Sequence, residues 1–219
     1  MQLRKIFILI CLFLSTQAFG QSFSMEDIGS FTFPSELKAS HNGEMIAWAM
    51  YEQGKRNIFM AKAPDFEPVK LTAFNNDDGQ EISGITFSKD GKWLAFVRGG
   101  DHGGWRYSST VNADNLPSLP KVEIWKVNLE SRNVEVVIEG DDLVAGPGST
   151  MAFLKNNKVW TVDFSADNDP KQLFDIKGNV NGMSFSPDGK KLAFTVNRDG
   201  HQLLGVYHDQ NTPIQFISP

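Results

Sequence analysis

Asp77, Asp78 and Glu81 stand together in the run Asp77-Asp78-Gly79-Gln80-Glu81. Grouped carboxylates suit a cationic partner, because ionised acceptors make the stronger hydrogen bonds. The same run also reads as a turn entering a strand from Ile82 to Ser88, since Asp and Gly meet turn geometry. Four histidines (His41, His102, His201 and His208) bring acid–base or ligand chemistry, but none falls at His-Glu-x-x-His or another close metal spacing. His102 follows Asp101 and shares a Gly-rich loop with Trp105. That imidazole can orient a ligand or titrate near neutrality and the indole can stack on one, with an ordinary exposed loop as the plainer reading. Asp163, Ser165, Asp167 and Asp169 alternate like the start of a calcium loop. Its sixth place is Asn168 rather than Gly and its twelfth Phe174 rather than Glu, so a solvated hairpin is expected there. No Gly-x-Ser-x-Gly nucleophile elbow exists; Ser149 in Gly146-Pro147-Gly148-Ser149 has the wrong spacing. No catalytic residue, metal site or cofactor is expected.

What must position these residues is a repeat. Two copies are plain, Phe87-Ser88-Lys89-Asp90-Gly91-Lys92-Trp93-Leu94-Ala95-Phe96 and Phe185-Ser186-Pro187-Asp188-Gly189-Lys190-Lys191-Leu192-Ala193-Phe194. Two are degraded, Gly43-Glu44-Met45-Ile46-Ala47-Trp48 and Gly148-Ser149-Thr150-Met151-Ala152-Phe153. Asp-Gly makes a tight turn in which Gly supplies positive φ. The aliphatic-Ala-aromatic run that follows reads as a strand, with Ala where neighbouring sheets crowd together. A third strand recurs near Asn57–Met60, Glu123–Lys126, Lys158–Thr161 and Leu203–Val206. A fourth recurs near Val69–Thr72, Val134–Val137, Lys171–Phe174 and Pro213–Phe216. Four short antiparallel strands per unit, without helical periodicity, predict an all-β chain of about four β-propeller blades. Trp48, Trp93, Trp125 and Trp160 are expected in the blade cores. A Gly- and Pro-rich insertion at about 98–120 interrupts the second unit, as a functional loop or a surface decoration.

Composition sets the class. With 41% hydrophobic and 21% charged residues, collagen-like, disordered and coiled-coil chains are excluded. A net charge of −5 without a basic run gives nucleic acid nothing to bind. Arg4-Lys5, the apolar run Ile6–Leu14 and Ala18-Phe19-Gly20 fit a secretory signal peptide over residues 1–20. The run is shorter than the roughly 18 residues of a membrane span. The expected product begins at Gln21, periplasmic or secreted. The single cysteine, Cys11, falls within the removed segment, so the mature chain relies on packing alone.

The Ser186-Pro187-Asp188-Gly189-Lys190-Lys191-Leu192-Ala193-Phe194 run resembles the propeller repeat shared by TolB and the prolyl oligopeptidase family of serine peptidases. The succession Asn57-Ile58-Phe59, Ala63-Pro64-Asp65-Phe66, Leu71-Thr72, Asp77-Asp78-Gly79-Gln80-Glu81 and Arg98-Gly99-Gly100-Asp101-His102 is similar to bacterial secreted dipeptidyl- and acylaminoacyl-peptidase-like members. The resemblance spans roughly residues 30–219. It implies an amino-terminal, substrate-gating propeller over a catalytic α/β-hydrolase domain that these 219 residues lack. It also implies that Asp77, Asp78 and Glu81 hold the ammonium of a short peptide substrate. The alternative is a TolB-like, non-catalytic propeller that binds a periplasmic protein; a self-sufficient four-bladed ring is a third. An incomplete ring is expected to leave a blade exposed and to self-associate.

Overall fold

The computed structural model describes residues 24–100 and 111–217. The leader, and the candidates Asp101, His102 and Trp105, lie outside the described residues. Helix α1 (Met25–Ser30) belongs to a unit separate from the blades, which begin after Phe31. Ser24 caps α1: its hydroxyl accepts from the Asp27 amide, and the Asp27 carboxylate accepts from the Ser24 amide.

Beyond it, the chain is built of turns that the repeat dictates. The Ser88 hydroxyl donates to Asp90 Oδ1 at 2.5 Å, the Lys92 amide donates to the same oxygen, and the Trp93 amide donates to Ser88 Oγ. Ser186, Asp188, Lys190 and Lys191 repeat these bonds. So do Ser40, Asn42, Glu44 and Met45, with an amide oxygen in place of the carboxylate. Gly43, Gly91 and Gly189 stand at φ 76°, 70° and 72°, the left-handed conformation that closes each turn. The third copy uses other means. The Thr150 amide donates to the Pro147 carbonyl, and the Ser149 hydroxyl reaches across to Asp163 Oδ1 at 2.5 Å.

These turns join four antiparallel sheets of four strands, each in simple up-and-down order. Blade 1 holds β1 (Phe33–Ala39), β2 (Met45–Glu52), β3 (Lys55–Lys62) and β4 (Val69–Lys70). Blade 2 holds β5 (Ile82–Phe87), β6 (Trp93–Arg98), β7 (Glu123–Asn128) and β8 (Val134–Glu139). Blade 3 holds β9 (Asp141–Ala145), β10 (Thr150–Lys155), β11 (Lys158–Asp163) and β12 (Lys171–Phe174). Blade 4 holds β13 (Asn179–Phe185), β14 (Leu192–Arg198), β15 (His201–Tyr207) and β16 (Gln215–Phe216). Successive first strands pack side by side, β1 on β5, β5 on β9 and β9 on β13. Among the described residues no comparable packing joins β13 to β1, and the blades form an open propeller arc.

Three apolar layers lie between the blades, and each obeys one rule. The alanine of one blade shares its layer with the aromatic residue of the next: Ala47 with Phe96, Ala95 with Phe153, Ala152 with Phe194. All six are fully buried. A small side chain is needed where a ring from the next sheet presses in. The tryptophans follow the expectation in part. Trp93, Trp125 and Trp160 are half-buried but pack against the apolar layers, whereas Trp48 belongs to none, and Phe96, Phe153 and Phe194 are the aromatic residues fully buried there. An indole carries an N–H that an apolar layer leaves unpaired, as Trp125 and Trp160 Nε1 are here.

Candidate functional site

In an up-and-down blade the first and third connections share one end of the sheet. The second connection and the crossover to the next blade share the other. The Ser-x-Asp-Gly turns therefore occupy one end of the arc. The Gln53-Gly54 turn, the 71–81 crossover and the described parts of the β6–β7 connection occupy the opposite end.

The crossover is fixed from its start by Asn57, whose side chain is buried on β3. Asn57 Nδ2 donates to the Phe74 carbonyl at 2.8 Å, while its Oδ1 accepts from the Phe74 amide and the Thr72 hydroxyl. Phe74 then meets Trp125 edge-on at 5.4 Å, and the Arg98 guanidinium lies over its ring at 4.2 Å. Arg98 Nη2 donates to Asp78 Oδ2 at 2.5 Å, and the Gln80 amide donates to Asp78 Oδ1 at 3.0 Å. Asp78 thus has both oxygens engaged in holding the loop. Gln80, buried, does the joining: its Nε2 donates to the carbonyls of Asp78 and Val111, and its Oε1 accepts from the Gly100 amide. Gly100, at the start of the insertion, and Val111, midway along it, are both tied to the acidic run through this one side chain.

The sequence candidates separate accordingly. Asp77 is exposed, its carboxylate lying directly over the Cα of Gly54, where any Cβ would overlap it. Glu81 is half-buried at the head of β5, its backbone paired with Gly99 and Gly100. Asp77 is thus exposed on the rim of blades 1 and 2, while Asp78 is paired with Arg98. Asn57, Phe74 and Gln80 are not among the candidates that residue type and spacing point to. No spacing in the sequence marks them; Asn57 and Gln80 stand out only as buried polar side chains bonded to the backbone of the crossover and the insertion.

The remaining candidates are structural. The Ser149 hydroxyl first, then the amide and hydroxyl of Ser165, hold the Asp163 carboxyl below the usual carboxylate range. The Asp163–Asp169 segment is the β11–β12 hairpin, as expected, and no group of three metal-ligating side chains occurs among the described residues. A cleft of about 490 Å³ opens between blades 3 and 4 at the end bearing the Ser-x-Asp-Gly turns, with Lys171, Lys191, Tyr207 and His208 on its walls. No helix among the described residues is long and apolar enough to cross a membrane.

No family model and no curated protein matches this sequence. Solved structures do. TolB from Acinetobacter baumannii aligns at a TM-score of 0.57 with 18% identity, covering 87% of this chain and 44% of that one. An oligogalacturonate lyase in complex with manganese aligns at 0.57 with 13% identity, covering 82% and 51%. A TolB-type protein from Agrobacterium tumefaciens aligns at 0.52 with 15% identity, covering 85% and 62%. The chain spans about half the length of these structures. Identities this low establish the propeller fold and leave activity to be argued from the site.

Proposed function

We propose that this chain is the substrate-gating propeller segment of an exported serine peptidase acting on short peptides, with hydrolysis assigned to an α/β-hydrolase domain outside these 219 residues. The observation that carries the reading is the double anchoring by Gln80. The two segments with the most specific resemblance to secreted peptidases, Asp77–Glu81 and the insertion that opens at Arg98, converge on one rim. Asp77, exposed there, gives an ammonium an acceptor, while Arg98 compensates the charge of Asp78 and stiffens the loop beside it.

Titration of carboxy-terminally labelled tripeptides tests this directly. A free amino terminus is expected to bind about tenfold more tightly than its acetylated counterpart, and Asp77→Asn to remove most of that preference. Equal binding of the two peptides contradicts the reading. A chain that ignores peptides but retains a folded periplasmic protein favours the TolB-like alternative.

A further inference from the structure

We propose that the cleft between blades 3 and 4 binds a small organic anion, an aryl carboxylate whose ring enters between the blades and whose carboxylate meets the Lys171 ammonium. This site lies at the end of the arc opposite the acidic rim and is independent of the peptide reading. It exists because the third interface leaves open what the first two close. Met60, Lys126 and Thr161 hold the same place on β3, β7 and β11, each paired across the sheet with the repeat's alanine, Ala47, Ala95 or Ala152. Their neighbours on the fourth strands are Val69, Glu135 and Lys171. In blade 1 both side chains are apolar, and Met60 is buried in the first layer. In blade 2 the Lys126 ammonium sits 3.3 Å from the Glu135 carboxylate and 5.1 Å from the centre of the Trp93 ring. In blade 3 Thr161 is short and donates its hydroxyl to the Met151 carbonyl, while Lys171 pairs with no carboxylate among the described residues.

The facing blade widens the same gap. Val127, Val162 and Tyr207 correspond, being paired with Leu94, Met151 and Leu192. Two residues beyond the valines, Leu129 and Phe164 pack into the first and second layers. Two residues beyond Tyr207 stands Asp209, which is exposed. The cleft that results has a volume of about 490 Å³, the size of a site for a small organic molecule. Leu173, Phe185 and Leu192 give it apolar walls, and Lys171, Lys190 and Lys191 line it against the one carboxylate of Asp209. That carboxylate is already engaged, accepting from the Asn211 amide and the Thr212 hydroxyl. Asp188 partly offsets Lys190 and Lys191 from the adjoining turn, so Lys171 is the uncompensated cation. The Tyr207 hydroxyl, on the cleft wall, makes no hydrogen bond among the described residues and is free to donate to an anion. An apolar slot beside an unpaired ammonium and a phenol donor matches a carboxylate carried on a flat ring.

Isothermal titration calorimetry of the full chain with naphthoate, naphthylmethylamine and acetate tests the site. Naphthoate is expected to bind, and the amine and acetate at least about tenfold more weakly, since the first lacks the negative charge and the second the ring. Lys171→Glu should weaken naphthoate by about tenfold or more. Lys62→Glu, the same change of charge at an exposed position of blade 1, should leave it unaltered. Thr161→Met should block the cleft with the side chain that closes the first interface, and circular dichroism reports whether that variant is folded. Lys171 is exposed, so Lys171→Glu keeps the test decisive even where Thr161→Met fails to fold. A wild type that binds none of the three ligands, or takes the amine as well as the acid, overturns the proposal. So does equal naphthoate binding by the wild type and Lys171→Glu, equal weakening by Lys62→Glu, or undiminished binding by a folded Thr161→Met chain.

Discussion

Arg98 and Asp78 meet with side chains only 17% and 25% exposed, and the guanidinium is spread over Phe74 at the same time. Partial shelter costs this pair hydration, so removing one partner leaves the other charge poorly solvated and uncompensated. Arg98→Met should lower the unfolding free energy by about 1–2 kcal/mol in urea titrations, with Arg98→Lys falling between the two since it keeps charge but not the planar stack. A loss within error of zero would make the pair incidental. Asp163 offers a pH test. Its folded pKa is depressed by the Ser149 hydroxyl, then by Ser165, so its stabilisation is present above the unfolded value of about 4. That stabilisation is lost as pH falls through the lower folded value. The difference in Tm between the wild type and Asp163→Asn should therefore be constant from neutral pH down to about 5 and shrink below about 4. A difference that persists unchanged into acid would mean the carboxylate is not what holds the hairpin.

The first strand of every blade breaks register once, at a residue with left-handed φ: Glu36 at 56°, Gly84 at 60°, Asp142 at 55° and Gly182 at 52°. Each lies four residues before the turn that opens the second strand. Such a bulge bends the strand where it lines the arc's inner side. In blade 1 the Glu36 carboxylate accepts from the Gly84 amide at 2.9 Å, linking the bulges of neighbouring blades. A Cβ on Gly84 would find its nearest neighbour at an easy 3.6 Å, as would one on Gly182. Any loss on substitution is therefore conformational. Gly84→Ala and Gly182→Ala should each cost about 1–2 kcal/mol in chemical denaturation, and near-equal costs are the sign of a shared backbone requirement. Neutral substitutions would contradict it. The turns were legible in the sequence because Ser-x-Asp-Gly encodes its own hydrogen bonds. Even Ser40-x-Asn42-Gly43, without the aspartate, folds the same way. The bulges were not, because glutamate and aspartate occupy the left-handed place in two blades and hide the glycine pattern. The rim was half-legible: the acidic run and the insertion stood out as segments, but only packing shows that Asp78 is committed to Arg98.

At the scale of the whole molecule, the chain is one interface repeated three times, with a rim of connections at one end of the blades and Ser-x-Asp-Gly turns at the other. Repetition of this kind makes stability local: among the described residues blades 2 and 3 are supported on both faces, blades 1 and 4 on one. Amide exchange should follow, slowest in β6 and β10 and faster in β2 and β14. The same experiment reaches the central claim, that the rim of blades 1 and 2 takes the amino terminus of a short peptide. Hydrogen–deuterium exchange is to be read with a tripeptide bearing a free amino terminus, and again with its acetylated form. The account predicts that the free peptide alone slows exchange across residues 76–82 and at Gly99 and Gly100, leaving the turns at Gly43, Gly91 and Gly189 unchanged. Protection confined to the turn end, or identical protection by both peptides, would contradict it.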